Sequence, residues 1–128
     1  MERLSVDTNT PFKIFIMVIV VLLVGVFGIN AAMASKRSDM AWQEISKGAM
    51  LIDVRTAQEF KAGHLKNAIN MPLSTLSKSA NPIDRNTPIV VYCRSGSRAS
   101  HAKRELYDMG FVNVYNGGGL EEMQASEP

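Results

Sequence analysis

Ile89-Val90-Val91-Tyr92-Cys93-Arg94-Ser95-Gly96-Ser97-Arg98 (residues 89–98) is the stretch on which the fold turns. Its first four residues are β-branched or aromatic and apolar throughout, the composition of a short buried strand. A polar loop follows, then a helix running to about Met109, with Ala99, Ala102, Leu106 and Met109 on one face at helical spacing. A strand that feeds a helix through a tight loop is one half of a parallel α/β unit, and such sheets bind ligands outside the carboxyl ends of their strands. Cys93, the only cysteine of the chain, stands at that end. The small residues and Gly96 let the backbone curl so that successive N–H groups point inward, a nest that a helix N-terminus reinforces for an anion. The same field favours a thiolate, and Arg94 and Arg98 add to it. Read alone, a cysteine is more often a small buried hydrophobe, and arginines are more often solvated charges. Two arginines, two serines and a glycine in the next five positions move the balance to a reactive thiol. A tight loop does not aim both arginines inward, and Arg98, at the helix start, is the better placed.

Working outward, the remaining segments repeat the alternation. Ser38 can cap a helix beginning near Asp39 and stopped by Gly48. Met50 to Val54 reads as a strand covered on both faces, Ala57 to Lys61 as a short helix ended by Gly63, and Ala68 to Met71 as a second strand stopped by Pro72. Leu73 to Ser79 forms a weak helix before the turn-rich Asn81 to Asp84. Phe111 to Tyr115 supplies the last strand, and Gly117-Gly118-Gly119 leads to a short helix over Leu120 to Ala125. The expected fold is α/β, a small parallel sheet with helices on both faces, preceded by one transmembrane helix.

That helix comes from the uneven spread of apolar residues. The chain has 128 residues, 46% of them hydrophobic and 20% charged, which excludes a disordered or fibrous chain. From Ile14 to Ser35, 22 consecutive residues carry no charge. At about 1.5 Å per residue this run crosses a hydrocarbon core about 30 Å thick. The domain organisation expected is a tail over 1–13, a transmembrane anchor or signal segment over 14–34, a polar link over 35–38 and a small α/β domain over 39–125. Ala32-Met33-Ala34 fits a signal-peptidase site, with release outside the cytoplasm if the chain is cut after Ala34. The length of the run and its weakly charged leader favour a retained, single-pass N-terminal anchor instead. Arg3 and Lys13 before it balance Lys36 and Arg37 after it, so the positive-inside rule gives no side. A net charge of +2 leaves no basic footprint for nucleic acid, and one cysteine excludes a disulfide framework and a multi-cysteine metal site. No metal or cofactor is expected.

LIDVR (51–55), Glu59-Phe60, Gly63-His64-Leu65, Ala68 to Pro72, VVYCRSGSRAS (90–100) and GGG (117–119) together resemble the rhodanese family, in order and spacing, from about Met40 to Met123. The resemblance implies a sulfurtransferase. Cys93 would attack the outer sulfur of a donor such as thiosulfate, hold it as a persulfide within the loop Arg94, Ser95, Gly96, Ser97 and Arg98, and pass it to cyanide, a thiol or a protein acceptor. Asp53, Arg55, Glu59 and His64 are read as supporting residues: Asp53 braced by amides and an arginine, Glu59 ordering loops, His64 a hydrogen-bonded histidine. Phosphatases of the same fold carry five residues between cysteine and arginine; here there are four, with no aspartate nearby as general acid. A Cys93–His101 dyad, eight residues apart across a loop and a helical turn, has poor geometry. The alternative from a different class is a membrane-tethered sulfur carrier or redox sensor with little turnover, which needs the same thiolate. The chain departs from the family where many members carry a tryptophan after the double glycine and it has Glu121, Glu122 and Met123.

Overall fold

Four short strands, each too brief to be stable alone, form one parallel sheet because helices cover both of its faces. In chain order the elements of the computed structural model are α1 (Thr10–Ser46), β1 (Met50–Asp53), α2 (Ala57–Ala62), β2 (Ile69–Asn70), a 3₁₀ turn (Leu73–Thr75), α3 (Leu76–Ala80), β3 (Ile89–Cys93), α4 (Ser97–Asp108), β4 (Val114–Gly119) and α5 (Leu120–Ala125). The structure describes residues 9–128, so most of the expected tail, residues 1–8, lies outside the described residues. The strand order is β2-β1-β3-β4, parallel throughout.

The pleat sorts the strand residues. Ile89, Val91 and Cys93 point to one face with Ile52 and Val54, and pack on Leu76, Ala80, Ala99, Ala102, Leu106 and Phe111. Val90 and Tyr92 point to the other with Leu51, and meet Ala41, Leu65 and Met123. The three small-or-leucine positions expected to line the inner face of the fourth helix, Ala99, Ala102 and Leu106, are fully buried.

The chain divides into two units, Met1–Met33 and Ala34–Pro128. In the first, the helical residues 10–29 form a 20-residue stretch, long and apolar enough to cross a membrane, with its side chains exposed. Three expectations are corrected. Residues 35–38 are not a polar link, and Ser38 is not a helix cap: both lie within α1, which meets no Pro or Gly between Ile29 and Ser46. Ser38 is buried instead, and its hydroxyl accepts a 2.8 Å bond from Ser126 Oγ. The last strand is not Phe111–Tyr115 but Val114–Gly119. Phe111 is drawn back to close α4, its N–H bonded to the Leu106 carbonyl and its ring buried. The glycines then pair with β3, Tyr92 opposite Gly118 and Cys93 opposite Gly119, after a bulge that absorbs one extra residue.

Candidate active site

β3 carries Cys93 to the carboxyl end of the sheet, and Gly96 turns the chain into α4. Gly96 has φ +97°, a left-handed conformation that a side chain disfavours. The turn folds the loop back on the sulfur. Cys93 is 1% exposed, and its Sγ accepts the Gly96 N–H at 3.0 Å and the Ala99 N–H at 3.4 Å. Two backbone donors, one from the loop and one from the first turn of a 12-residue helix, therefore converge on one sulfur.

Beside the loop opens a cleft of about 490 Å³, lined by Arg55, Glu59, Ala62, Arg94, Ser95, Leu120 and Glu121. Arg94, Ser95 and Ser97 are exposed. Arg98 is held elsewhere than expected. Its guanidinium grips Glu59 in a two-pronged pair, Nη1 to Oε1 at 2.7 Å and Nη2 to Oε2 at 2.9 Å, so its fork is spent on a carboxylate. That bond pushes the Glu59 carboxyl down to about 2 and raises the Arg98 guanidinium further. Glu59 also closes the N-terminal box of α2 with Thr56, and so ties that helix to the start of α4.

Asp53 and Arg55 form a buried pair at the end of β1, with side chains 0% and 6% exposed. Asp53 Oδ1 accepts the Arg55 N–H at 2.9 Å and Nε at 3.0 Å, and Oδ2 accepts Nη2 at 2.7 Å. Arg55 Nη2 also donates to the Gly63 carbonyl at 2.6 Å, and the guanidinium lies 5.8 Å over the Tyr92 ring. Burial, foremost, raises the Tyr92 hydroxyl far above its ordinary range, and the Asp53 carboxylate adds to the effect. Its oxygen accepts the Leu65 N–H. His64 stacks on Phe60 with 3.7 Å between ring centres and has Nδ1 2.8 Å from the Phe60 carbonyl. His101 has Nδ1 3.1 Å from Arg104 Nη2 and is exposed.

Sequence reasoning missed the groups that hold the loop from behind. Arg37 Nη2 donates to the Ser95 carbonyl at 3.2 Å while Nε and Nη2 donate to Glu122 at 2.6 and 2.7 Å. Asn116 Nδ2 donates to the Gly96 carbonyl at 3.1 Å, and its Oδ1 accepts the Gly118 N–H at 2.8 Å. A Cβ at Gly119 would fall on the Arg94 carbonyl oxygen, so the third glycine of the run is the surface on which the loop rests. Asn116-Gly117-Gly118-Gly119 carried a visible signal in its glycines. Arg37, 58 residues from Ser95, read only as a charge flanking the apolar run.

The family model of the rhodanese-like domain matches residues 38–126. The chain is 37% identical over 75 residues to the thiosulfate sulfurtransferase PspE of Escherichia coli, covering 56% of this chain and 71% of that one. It is 33% identical over 66 residues to the putative sulfur carrier protein YrkF of Bacillus subtilis, covering 52% of this chain and 36% of that one. Among solved structures, a rhodanese with anions from E. coli superimposes with a TM-score of 0.54 at 35% identity, covering 59% of this chain and 91% of that one.

Proposed function

The chain belongs to the rhodanese-like domain family, and we propose that it is a sulfurtransferase working through a persulfide on Cys93. One observation carries the reading: the sulfur at the end of β3 receives two backbone N–H groups beside an open, charged cleft. Donors aimed at a sulfur stabilise negative charge on it, and they do so without reorganising, because the backbone holds them in place.

The chemistry divides into two displacements. In the first, the Cys93 thiolate donates a lone pair to the outer sulfur of thiosulfate. The sulfur–sulfur bond of the donor breaks, its electron pair leaves with sulfite, and a Cys93 persulfide forms. In the second, cyanide or a thiolate attacks the outer persulfide sulfur, and the electron pair returns to Cys93 as thiolate. Both steps balance without an added oxidant, reductant or cofactor. Arg94, exposed on the rim, offers a cation to an anionic donor, and Ser95, Gly96, Ser97 and Arg98 shape the loop that cradles the sulfur. Asp53, Arg55, Glu59 and His64 support the walls rather than react: Asp53 and Arg55 are paired with each other, Glu59 with Arg98, and His64 Nδ1 lies against the Phe60 carbonyl.

A second reading has support in the resemblance to a putative sulfur carrier. A carrier forms the persulfide and waits for a protein acceptor. Incubation with thiosulfate, followed by intact mass measurement and then by cyanide turnover, separates the two. A gain of one sulfur with steady thiocyanate production supports the enzyme. The same gain without turnover supports the carrier. No gain at all defeats both.

We further propose that the apolar stretch Thr10–Ile29 is a retained single-pass anchor. The full chain is then expected in the membrane pellet after carbonate washing, with residues 1–34 included in its mass. A soluble product beginning at Ser35 would identify a cleaved signal segment instead.

A further inference from the structure

We propose that Arg37 is a positioning residue for sulfur transfer, gripping from behind the peptide unit whose N–H donates to the Cys93 sulfur. The proposal rests on the sulfurtransferase reading above and goes beyond it to a residue outside the loop. The peptide linking Ser95 to Gly96 has two polar ends. Its carbonyl oxygen accepts Arg37 Nη2 at 3.2 Å, and its N–H points at Cys93 Sγ across 3.0 Å. A cation on the carbonyl polarises the whole unit, so the N–H becomes a stronger donor at the sulfur. It also fixes the plane of the peptide, and with it the direction of the N–H.

Three features make the grip rigid. Glu122 holds the guanidinium with both carboxylate oxygens, at 2.6 and 2.7 Å, so the fork cannot swing. The Glu122 carboxylate itself lies against Gly118, where a Cβ would approach its atoms to 2.5 Å. The guanidinium in turn covers Gly96, where a Cβ would meet Arg37 Nη2 at 2.7 Å and Cζ at 3.0 Å. Gly96 is therefore required twice, once by its φ of +97° and once by the flat cation packed on it. The hydrogen bond to Glu122, foremost, raises the Arg37 guanidinium further, and a smaller contribution comes from the Cys93 charge, which Arg37 is near enough to feel.

A mere tie between α1 and α5 would account for the Glu122 pair. It would not account for the third bond to Ser95, nor would it couple Arg37 to an amide on the opposite side of the loop. The two roles separate in the full-length chain, held in detergent micelles and labelled with ¹⁵N-glycine. Arg37→Gln is expected to move the Gly96 amide proton upfield while Gly110, at the far end of α4, stays in place. It is also expected to slow single-turnover sulfite release from thiosulfate by about tenfold to a hundredfold, since small misplacements of aligned groups carry losses of that order. Arg37→Lys keeps the charge but gathers it on one nitrogen, without the planar fork that faces the two carboxylate oxygens and the carbonyl, so it should fall between parent and Arg37→Gln in both readouts. If Arg37→Gln does not fold, Arg37→Lys alone carries the test. An unmoved Gly96 resonance in a folded variant overturns the proposal, as does parental behaviour of Arg37→Lys in both readouts. If the parent itself releases no sulfite, the sulfurtransferase reading fails, while the amide resonance still decides whether Arg37 controls the loop.

Discussion

Replacing Asp53 by Leu should strongly destabilise the domain, and replacing Arg55 by Met in the same chain should restore most of the loss. Asp53 is fully buried and Arg55 nearly so, and the carboxylate satisfies the Arg55 N–H as well as its guanidinium. Without Asp53 the guanidinium keeps the Gly63 carbonyl and the Tyr92 ring but has no counter-charge. Breaking one side of a buried pair typically costs ~3–5 kcal/mol, because the surviving charge stays desolvated. At an m-value of about 1.5 kcal/mol/M this lowers the urea midpoint by about 2–3 M. Removing both charges takes away the desolvation penalty together with the attraction, and a well-packed apolar pair is often neutral. The Tyr92 hydroxyl also faces Asp53 and loses a partner in both variants, so recovery should stop about 1–2 kcal/mol short of the parent. Trp42 is the only tryptophan, and its Nε1 bonds the Met123 carbonyl at 2.9 Å, so its fluorescence reports unfolding of the full chain. The reasoning is refuted if Asp53→Leu lies within about 1 kcal/mol of the parent, or if the double variant is as unstable as the sum of the singles. Persulfide formation by a double variant of restored stability assigns the pair to the scaffold rather than to the chemistry.

Cys93→Ser should fold and melt as the parent does but form no persulfide and transfer no sulfur, since a hydroxyl fills the space without offering a thiolate; residual thiocyanate production above background would call for another nucleophile, and the chain has no second cysteine. Inserting a glycine between Gly96 and Ser97 should pull the Ala99 N–H away from its 3.4 Å contact with the sulfur. Loss of one such donor typically lowers rate ~10²–10³-fold, and a variant within a few-fold of the parent would show that loop size does not select for sulfur. The Glu59 carboxyl, held down to about 2 by Arg98, titrates near 4.5 when unfolded, so the pair contributes stability above pH 4.5 that is lost as pH falls towards 2. The urea midpoint of the parent should therefore drop more steeply over that window than that of Glu59→Gln, and parallel curves would contradict the link between α2 and α4.

The reactive end of the sheet was legible locally. A β-branched strand, a small-residue loop and a helix with one apolar face follow one another without a gap from Ile89 to Asp108, and neighbouring residues alone dictate that order. The apolar run before Ser35 and the alternation of strands with helices are equally short-range signals. The bounds of β4 were not, because the pull of Phe111 into the core outweighed the strand propensity of Val112, which is left exposed. The same holds for the link over 35–38, where nothing in the sequence interrupts a helix and packing of Ser38 against Ser126 continues it. Tertiary structure alone decided which charges meet. Glu59 and Arg98 are 39 residues apart, Arg37 and Glu122 are 85 apart, and each such pair stands on different elements. A charged side chain follows no periodicity that names its partner; it pairs with whatever the packing of the apolar faces brings within 3 Å. Cys93 could be singled out from its neighbours, whereas Arg37 gained its place at the loop only when α1, α5 and the glycines of β4 closed around it.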